Sequence, residues 1–359
     1  MRIVRRITAV ILGFVFFFAG FLKLMDPVGA ALVVESWFSF LGMSFLAPAS
    51  SVFGVAAALL ETVCGAALIS GVWRRLTAAV SGVMLAFFTL LTLAALIFNP
   101  VMDCGCFGEA VHLTHGQSFV KNLILDGLWA LAFIPLSSLD EPVRKIKYVS
   151  FGISSVSLVL FTVYSLLSVP ALDFTPYAPG VELMDQMDFV SDSSAPLLAF
   201  SDVDGEYCDS LALDGRVVIV SLYKPSSFDA ADAQRIADFW TAAGQSGVKP
   251  LLLVAGTVED LDGKIADPRV LSSLYFADRR TLMALNRSNG GATLVYDGQI
   301  IAKWPARALP GSRVRSKGDT ALSELSGMGA AEAIVECNSA PRLKLQGFLL
   351  YVFAVLLLL

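Results

Sequence analysis

Charged residues are scarce in this sequence. Only 16% of its 359 residues are charged and 56% are hydrophobic, whereas soluble domains carry roughly 25% charged residues. The composition excludes an ordinary soluble protein and predicts a membrane protein. Runs of Lys and Arg are missing too, and the net charge is −5. We therefore expect no nucleic-acid partner and no polybasic lipid site.

The few charges are unevenly distributed along the chain. Residues 171–342 hold 15 Lys/Arg and 23 Asp/Glu, whereas residues 1–170 hold ten and eight. The acidic block is therefore predicted to be a separate, water-exposed domain. We expect a membrane domain over 1–140, a further helix within 141–170, the soluble domain over 171–342 and an apolar segment over 343–359.

Long apolar runs locate the membrane helices. Because a spanning helix needs roughly 20 apolar residues, we predict a four-helix core followed by a fifth helix, over residues 7–22, 49–73, 76–98, 119–137 and 148–169. The tail, residues 345–359, would extend only ~22 Å as a helix. It is either a marginal sixth helix or the start of one that this chain does not complete. The predicted fold class is a membrane all-α core, an α/β soluble domain and a short C-terminal apolar helix.

Positive charges orient the predicted helices. Loops rich in Lys and Arg stay cytoplasmic, and three basic clusters fall on one side if the amino terminus is cytoplasmic: Arg2, Arg5 and Arg6; Arg74 and Arg75; Arg144, Lys145 and Lys147. Residues 171–342 then lie on the other side, in the periplasm of a bacterium. We expect a multi-pass protein of the bacterial inner membrane, with membrane lipid around it.

The acidic block has the pattern of a small α/β domain. Apolar runs predict strands at 217–223 and 251–255 with a helix between them, and Asp297-Gly298 predicts a tight hairpin. This order is typical of a thioredoxin-like domain, and the alternative is another small α/β domain. No cysteine lies at 225–229, where such a domain carries its reactive pair, so the domain is predicted to be redox-silent.

Two of the three cysteines of the membrane part lie in Asp103-Cys104-Gly105-Cys106-Phe107-Gly108. Cysteines two apart do not easily reach relaxed disulfide geometry, and Gly105 best tolerates the backbone that they need. An exposed, strained disulfide is oxidising and labile. The pair therefore predicts thiol–disulfide exchange, and the alternative is two unrelated thiols in a turn.

Two further chemistries are open to the membrane part. The only histidines, His112 and His115, follow Cys106 closely. Together with Cys104 and Cys106 they could hold zinc or copper, or they could simply cap the start of the next helix. Elsewhere Glu61, near the middle of its helix, is costly in a bilayer. With Asn122 and Asp126 it could form a proton or quinone site, or it could only fix helix packing. No cofactor other than a quinone is suggested.

Spaced motifs in the first 140 residues resemble the methylamine-utilisation MauE family within the DoxX-like membrane proteins. The residues that carry the resemblance are Gly13, Gly20-Phe21-x-Lys23-x-x-Asp26-Pro27, Glu61, Gly65, Gly71, Asp103-Cys-Gly-Cys-Phe-Gly108, Leu113-Thr114 and Phe119-x-Lys121-Asn122. The resemblance implies a four-helix membrane core that handles disulfides or electrons for exported proteins, typically beside a thioredoxin-like protein.

The leading hypothesis is a membrane thiol–disulfide oxidoreductase whose Cys104 and Cys106 react with a periplasmic thiol or disulfide protein. Asp103, Gly105, Phe107 and Gly108 would shape the loop. A non-catalytic, membrane-anchored assembly or interaction subunit is the first alternative, and metal handling is the second. Sequence also leaves open whether Cys208 pairs with Cys337 or Cys337 with the membrane-edge pair.

Overall fold

The computed structural model describes residues 2–100, 102, 104–134, 143–184, 196–261, 263–311 and 322–358. The chain forms two compact units. The first unit contains Met1–Leu166 and Leu345–Leu359, and the second contains Leu167–Lys344. The described part of the first unit is a helical bundle, and the second unit is built around one mixed sheet.

In the described part of the chain, six helices of the bundle come before the sheet. They are α1 (Arg2–Met25), α2 (Pro27–Phe40), α3 (Ser50–Ser70), α4 (Arg74–Phe98), α5 (His115–Phe133) and α6 (Lys145–Leu166). A 3₁₀ segment, Ser44–Ala49, precedes α3. A short extended segment, β1 (Cys106–Glu109), lies between α4 and α5.

Five described helices are long and apolar enough to cross a membrane, so the chain has the character of a multi-pass membrane protein. These candidate spans are Ile3–Met25, Ser44–Ser70, Arg74–Phe98, Lys145–Leu166 and Ala330–Leu357. They include the predicted first, second, third and fifth spans. The predicted fourth span corresponds to α5, which is not among the five over its described residues. Lys121, Asn122 and Asp126 lower its hydropathy, and residues 135–137 lie outside the described part.

The sequence prediction missed α2, a 14-residue apolar helix. Asp26 caps it by accepting a hydrogen bond from the Gly29 backbone N–H at 2.9 Å, and Pro27 occupies the first helical position. Proline fits there because that position needs no N–H donor. The turn at Asp26 places α2 directly after α1, and α2 packs against α3.

Close contact between α1 and α3 organises the bundle. A Cβ at Gly65 would lie 2.4 Å from the Phe17 backbone nitrogen, so the two helix backbones meet where a side chain cannot fit. Small residues allow such approach between membrane helices. Phenylalanine rings of α1 also pack against the C-terminal helix: the ring centroid of Phe17 lies 4.9 Å from that of Phe353.

Five strands form the sheet of the second unit, in the order β4-β3-β2-β5-β6. Their bounds are β2 (Arg216–Leu222), β3 (Lys249–Val254), β4 (Leu274–Phe276), β5 (Gly291–Tyr296) and β6 (Gln299–Trp304). The pairs β2–β3 and β3–β4 are parallel, whereas β2–β5 and β5–β6 are antiparallel. The helices of this unit include α7 (Ala230–Gln245) and α8 (Arg279–Leu285), with single turns at Pro268–Leu271 and Leu322–Leu325.

Side chains of the buried central strand β2 alternate between two cores. Val218 and Val220 point to the face covered by α7, with Phe239 and its neighbours. Val217 and Ile219 point to the other face, towards α8. The predicted strands, helix and hairpin are all present, and Asp297 adopts φ 45° in the hairpin turn, as a type I′ turn requires. The short strand β4 and the helix α8 were not predicted.

The C-terminal helix is longer than the sequence predicted. It is α9 (Ala330–Leu358), 29 residues long, which corresponds to roughly 43 Å at 1.5 Å per residue. The apolar tail is therefore the last part of a long helix whose earlier turns carry polar residues, and the prediction of a short helix over 345–359 was wrong in its start. Because those turns are polar, a search for apolar runs does not detect the first half of this helix.

Candidate functional site

The Cys104–Gly108 loop has two sulfurs in unlike surroundings. Cys104 is buried, with 9% of its surface exposed, whereas Cys106 is half-buried. Gly105 between them adopts φ +63°, a left-handed conformation that favours glycine. The Gly108 backbone N–H donates to the Gly105 carbonyl oxygen at 3.2 Å. The loop is therefore a tight turn that offers Cys106 to solvent more than Cys104.

Residues of helices α1 and α2 pack against this turn. A Cβ at Gly105 would lie 2.3 Å from Val33 Cγ1 on α2, and one at Gly108 would meet Lys23 Cγ on α1 at 3.8 Å. The Val33 contact and the positive φ both require glycine at position 105. Sequence reasoning did not find Val33. The Asp26-Pro27 dipeptide, a helix-start signal, could have revealed the helix that carries it.

Glu61 on α3 pairs with Lys23 on α1. Lys23 Nζ lies 2.7 Å from Glu61 Oε2, and the two side chains are 16% and 8% exposed. Lys23 Nζ also lies 5.7 Å from the centroid of the Phe88 ring. The Glu61 carboxylate is therefore paired with the ammonium group of Lys23. The stem of the same lysine lies beside Gly108 in the loop.

Asn122 and Asp126, which were grouped with Glu61 from sequence, form hydrogen bonds to α4. Asn122 Nδ2 donates to Thr92 Oγ1 at 3.1 Å, and Thr89 Oγ1 donates to Asp126 Oδ2 at 2.9 Å. The structure therefore joins α5 to α4 through these two side chains. It joins Glu61 to α1 instead.

Phe107 and the two histidines have structural contacts around the loop. Lys121 Nζ lies 5.1 Å from the centroid of the Phe107 ring. The His115 ring contacts Asn99 Oδ1 at 3.1 Å and the Met102 carbonyl oxygen at 3.0 Å. Thr114 caps the start of α5 in a capping box with Gln117. Capping of this helix was the alternative role predicted for the two histidines.

The metal hypothesis gains no support from these positions. Over the described ranges, no three or more His, Cys, Asp or Glu side chains group so that they could hold a metal ion. His112, His115, Cys104 and Cys106 are all in the described part. Asp103, predicted to shape the loop, lies outside the described residues.

Residues 1–135 match the family model of methylamine utilisation protein MauE. No curated protein and no solved structure matches the chain. The MauE-like segment, residues 1–135, is less than half of the chain. It contains α1 to α5, the Cys104–Gly108 loop, and the Lys23–Glu61 pair.

In the MauE-like segment, the motif residues that carried the resemblance have distinct places. Gly65 allows α1 and α3 to touch, Asp26 starts α2, and Lys23 pairs with Glu61. The Asp26 cap and the Lys23–Glu61 pair lie where α1 turns into α2, and β1 packs against both of these helices. Gly65 acts further along α1, at Phe17.

The second unit has no cysteine at the end of β2, where a thioredoxin carries its pair. The turn there is bonded to the segment before β5 through Asn289. Asn289 Oδ1 accepts from the Lys224 backbone N–H at 2.8 Å, and its Nδ2 donates to the Lys224 carbonyl and to Ser227 Oγ, each at 3.2 Å. The end of β2 is thus tied to the neighbouring loop by side-chain hydrogen bonds.

A Cys208–Cys337 disulfide, considered from sequence, is not formed. Both residues are thiols. Cys337 packs against the core on the α7 face of the sheet, and Cys208 against the core on the α8 face. The sheet separates them, which spacing along the sequence could not show.

Proposed function

We propose that the protein is a membrane thiol–disulfide exchange protein that reacts through Cys104 and Cys106. The observation that carries the proposal is the unequal exposure of two thiols held one residue apart by Gly105. Exchange needs one accessible sulfur to attack and a second to resolve the mixed disulfide. Cys106 suits the first role because it is half-buried, and Cys104 suits the second because it is buried beside it.

The exchange transfers two electrons. The Cys106 thiolate attacks one sulfur of a partner disulfide, which forms a mixed disulfide and releases one partner thiolate. Cys104, after losing its proton, attacks Cys106 Sγ, and the mixed disulfide breaks to release the second partner thiolate. The Cys104–Cys106 pair is oxidised to a disulfide and the partner is reduced to a dithiol. The reverse sequence oxidises the partner.

The second unit is proposed to be a thioredoxin-like domain that holds the partner without reacting with it. Its support is the sheet order β4-β3-β2-β5-β6, with a helix after β2 and an antiparallel hairpin at the end. The Asn289 hydrogen bonds occupy the turn where a reactive pair would stand. A fold of this kind without its cysteines retains a surface for binding.

Topology completes the proposal. We place the protein in a bacterial inner membrane with its amino terminus in the cytoplasm and residues 171–342 in the periplasm, together with the Cys104–Gly108 loop. Support comes from the basic residues at the opposite helix ends. The partner is a periplasmic protein that carries a reactive thiol pair or disulfide, because disulfides persist in that compartment.

Trapping of mixed disulfides tests the proposed reaction. In a Cys104→Ser variant the resolving thiol is missing, so Cys106 should accumulate a disulfide-linked partner that disappears on reduction. Cys64→Ser is the matched control, because Cys64 is buried in α3 with 5% exposure and should trap nothing. If Cys104→Ser captures no protein and both loop thiols stay reduced in cells, the exchange function is wrong.

Activity of the whole protein distinguishes the non-catalytic alternative. A Cys104→Ser/Cys106→Ser variant should lose function in cells if the thiols react. Function retained in that variant, but lost when residues 180–340 are deleted, would instead identify an assembly or interaction subunit. Labelling of Cys106 with a membrane-impermeant maleimide tests the topology, and labelling only after the cytoplasm is opened would contradict it.

A further inference from the structure

Lys121 on α5 takes no part in the proposed exchange, although it belongs to one of the motifs that carry the family resemblance. It is half-buried, and a lysine within an apolar helix costs free energy unless its ammonium reaches water or a partner. Its Nζ lies 5.1 Å from the centroid of the Phe107 ring, within the roughly 6 Å over which an aromatic face attracts a cation. The contact therefore links α5 to the residue that follows Cys106.

Phe107 and Cys106 occupy the tip of one tight turn. The turn is closed at its base by the hydrogen bond from the Gly108 backbone N–H to the Gly105 carbonyl oxygen, at 3.2 Å. The two residues between these glycines are therefore its central positions, as in a β-turn. Because the peptide that joins Cys106 to Phe107 is planar, the direction of the Phe107 ring and the direction of the Cys106 thiol are coupled.

The base of this turn and its tip are held by different helices. The two glycines at the base pack against residues of α1 and α2, whereas Phe107 at the tip contacts Lys121 of α5. Gly105 and Gly108 adopt φ +63° and +62°, and glycine is the residue with the greatest backbone freedom. A turn with glycine on both sides needs a side-chain contact to keep its tip in one orientation. The Phe107–Lys121 pair supplies such a contact.

Lys121 approaches the turn from a helix whose position is fixed. The next residue, Asn122, is buried, and its Nδ2 donates to Thr92 Oγ1 on α4 at 3.1 Å. At the start of α5, the His115 ring contacts the Met102 carbonyl oxygen at 3.0 Å. These contacts hold α5 against α4 and against the segment that precedes the loop. The ammonium of Lys121 is therefore presented to the ring from a fixed support.

We propose that Lys121 is a positioning residue for thiol–disulfide exchange. Its ammonium holds the Phe107 ring, and the ring sets the direction in which Cys106 Sγ meets a partner disulfide. The inference rests on the proposed exchange function and adds a residue to it. Because alignment of the reacting atoms lowers the barrier of a reaction, loss of this contact should slow Cys106 without removing its thiol.

A double-mutant cycle between Lys121 and Phe107 tests the proposal on the full-length protein. The parent and all variants carry Cys104→Ser, so that the mixed disulfide formed at Cys106 is not resolved. Glutathione disulfide at one fixed pH is the probe, and peptide mass mapping follows the rate at which Cys106 is glutathionylated. The variants are Lys121→Met, Phe107→Leu and the two combined. Lys121→Arg is the conservative change, and Lys145→Met is the control, because it removes an exposed lysine of α6.

Lys121→Met should slow the glutathionylation of Cys106 about two- to fivefold, which is the effect of a partly exposed cation–π contact. Phe107→Leu should slow it by a similar factor. Lys121→Met should have no further effect in the Phe107→Leu background, because the ring is already absent. Lys121→Arg should keep the parent rate, since a guanidinium also binds an aromatic face, and Lys145→Met should keep it too.

Cys64 shows whether a variant is still folded. It is 5% exposed, and its reaction with maleimide should stay as slow in each variant as in the parent. If Lys121→Met exposes Cys64, the comparison of Phe107→Leu with Phe107→Trp decides instead. The leucine variant should slow Cys106. The tryptophan variant should not, because tryptophan is the aromatic residue that binds cations best.

Two results would overturn the proposal. Equal rates in the parent and in Lys121→Met would show that the contact does not orient Cys106. An equal slowing by Lys121→Met with and without the Phe107 ring would show that the ammonium acts on the thiolate directly. Either result would leave the exchange function standing, because the trapping of a partner by Cys106 in cells tests that function separately.

Discussion

The Lys23–Glu61 pair provides the sharpest test of how the bundle is held together. We consider Lys23→Met, which keeps the length of the side chain but removes its charge. Glu61 then remains in α3 with its side chain only 8% exposed, and it has lost the ammonium group that lay 2.7 Å from its carboxylate. Glu61→Gln is the reciprocal change, and Lys23→Met/Glu61→Leu removes both charges.

The expected losses follow from where each charge lies. Breaking a buried ion pair by removing one partner costs about 3–5 kcal/mol, because the other charge remains buried. Lys23 lies two residues before the end of α1, so in Glu61→Gln its long side chain can turn towards the interface. Glu61 lies in the middle of α3 and has no such route. We therefore expect Lys23→Met to cost more than Glu61→Gln, and the double variant to recover most of the loss.

Alkylation of Cys64 reports unfolding of this part of the bundle. Cys64 is 5% exposed, lies one helical turn from Glu61 and packs in the core of the bundle. In a full-length background whose other four cysteines are serine, its reaction with a maleimide dye during heating follows the opening of α1 from α3. At about 2–4 °C per kcal/mol for a unit of this size, Lys23→Met should lower the midpoint by about 6–20 °C.

The matched control is Lys145→Met, which removes an exposed lysine at the start of α6 and should shift the midpoint by less than about 2 °C. The reasoning would be refuted by a Lys23→Met midpoint as close to the parent as that of the control. It would also be refuted if the double variant melted below both single variants, because the two charges would then not depend on each other.

Three further changes test the rest of the molecule. Gly105→Ala should open the loop, because the new Cβ would meet Val33 at 2.3 Å in a left-handed backbone. Cys104, which is buried in the parent protein, should then react with maleimide at least severalfold faster. Asp173→Asn should destabilise the second unit by about 3–5 kcal/mol in denaturant unfolding, since Asp173 and Lys303 are 6% and 5% exposed and 2.5 Å apart; an unchanged midpoint would contradict this. Burial, with a smaller effect of Asp278, raises the pKa of Tyr177 from 10 to about 12. The folded state therefore keeps a proton that the unfolded chain loses, so stability should fall by up to about 3 kcal/mol between pH 10 and 12, and Tyr177→Phe should remove that fall.

The elements with a strong local pattern could be predicted from sequence. The buried strand β2 is a run of branched apolar residues, and the β5–β6 hairpin has Asp297-Gly298 at its turn. Long uncharged runs located most of the membrane helices. Each of these signals lies within one segment, so no knowledge of tertiary contacts is needed to read it.

Predictions that depended on tertiary contacts were incomplete. Lys23 has the sequence position of an interfacial lysine, and its pairing with Glu61 joins residues 38 positions apart. Asn122 and Asp126 share a helix face, but that face meets α4. Helical periodicity shows which residues point together, and it does not show which helix they meet.

The Cys104–Gly108 loop shows that the cysteine motif does not by itself define the candidate site. Cys104 and Cys106 are equivalent in sequence, and only the packing of Gly105 on Val33 and the burial of Cys104 make them different. The Val33 contact comes from α2, a helix that is too short to span a bilayer and that a search for membrane spans therefore does not detect. The α1–α2 corner is held by the Asp26 cap and lies beside the Lys23–Glu61 pair. The roles proposed for the two sulfurs therefore depend on this corner as much as on the cysteines themselves.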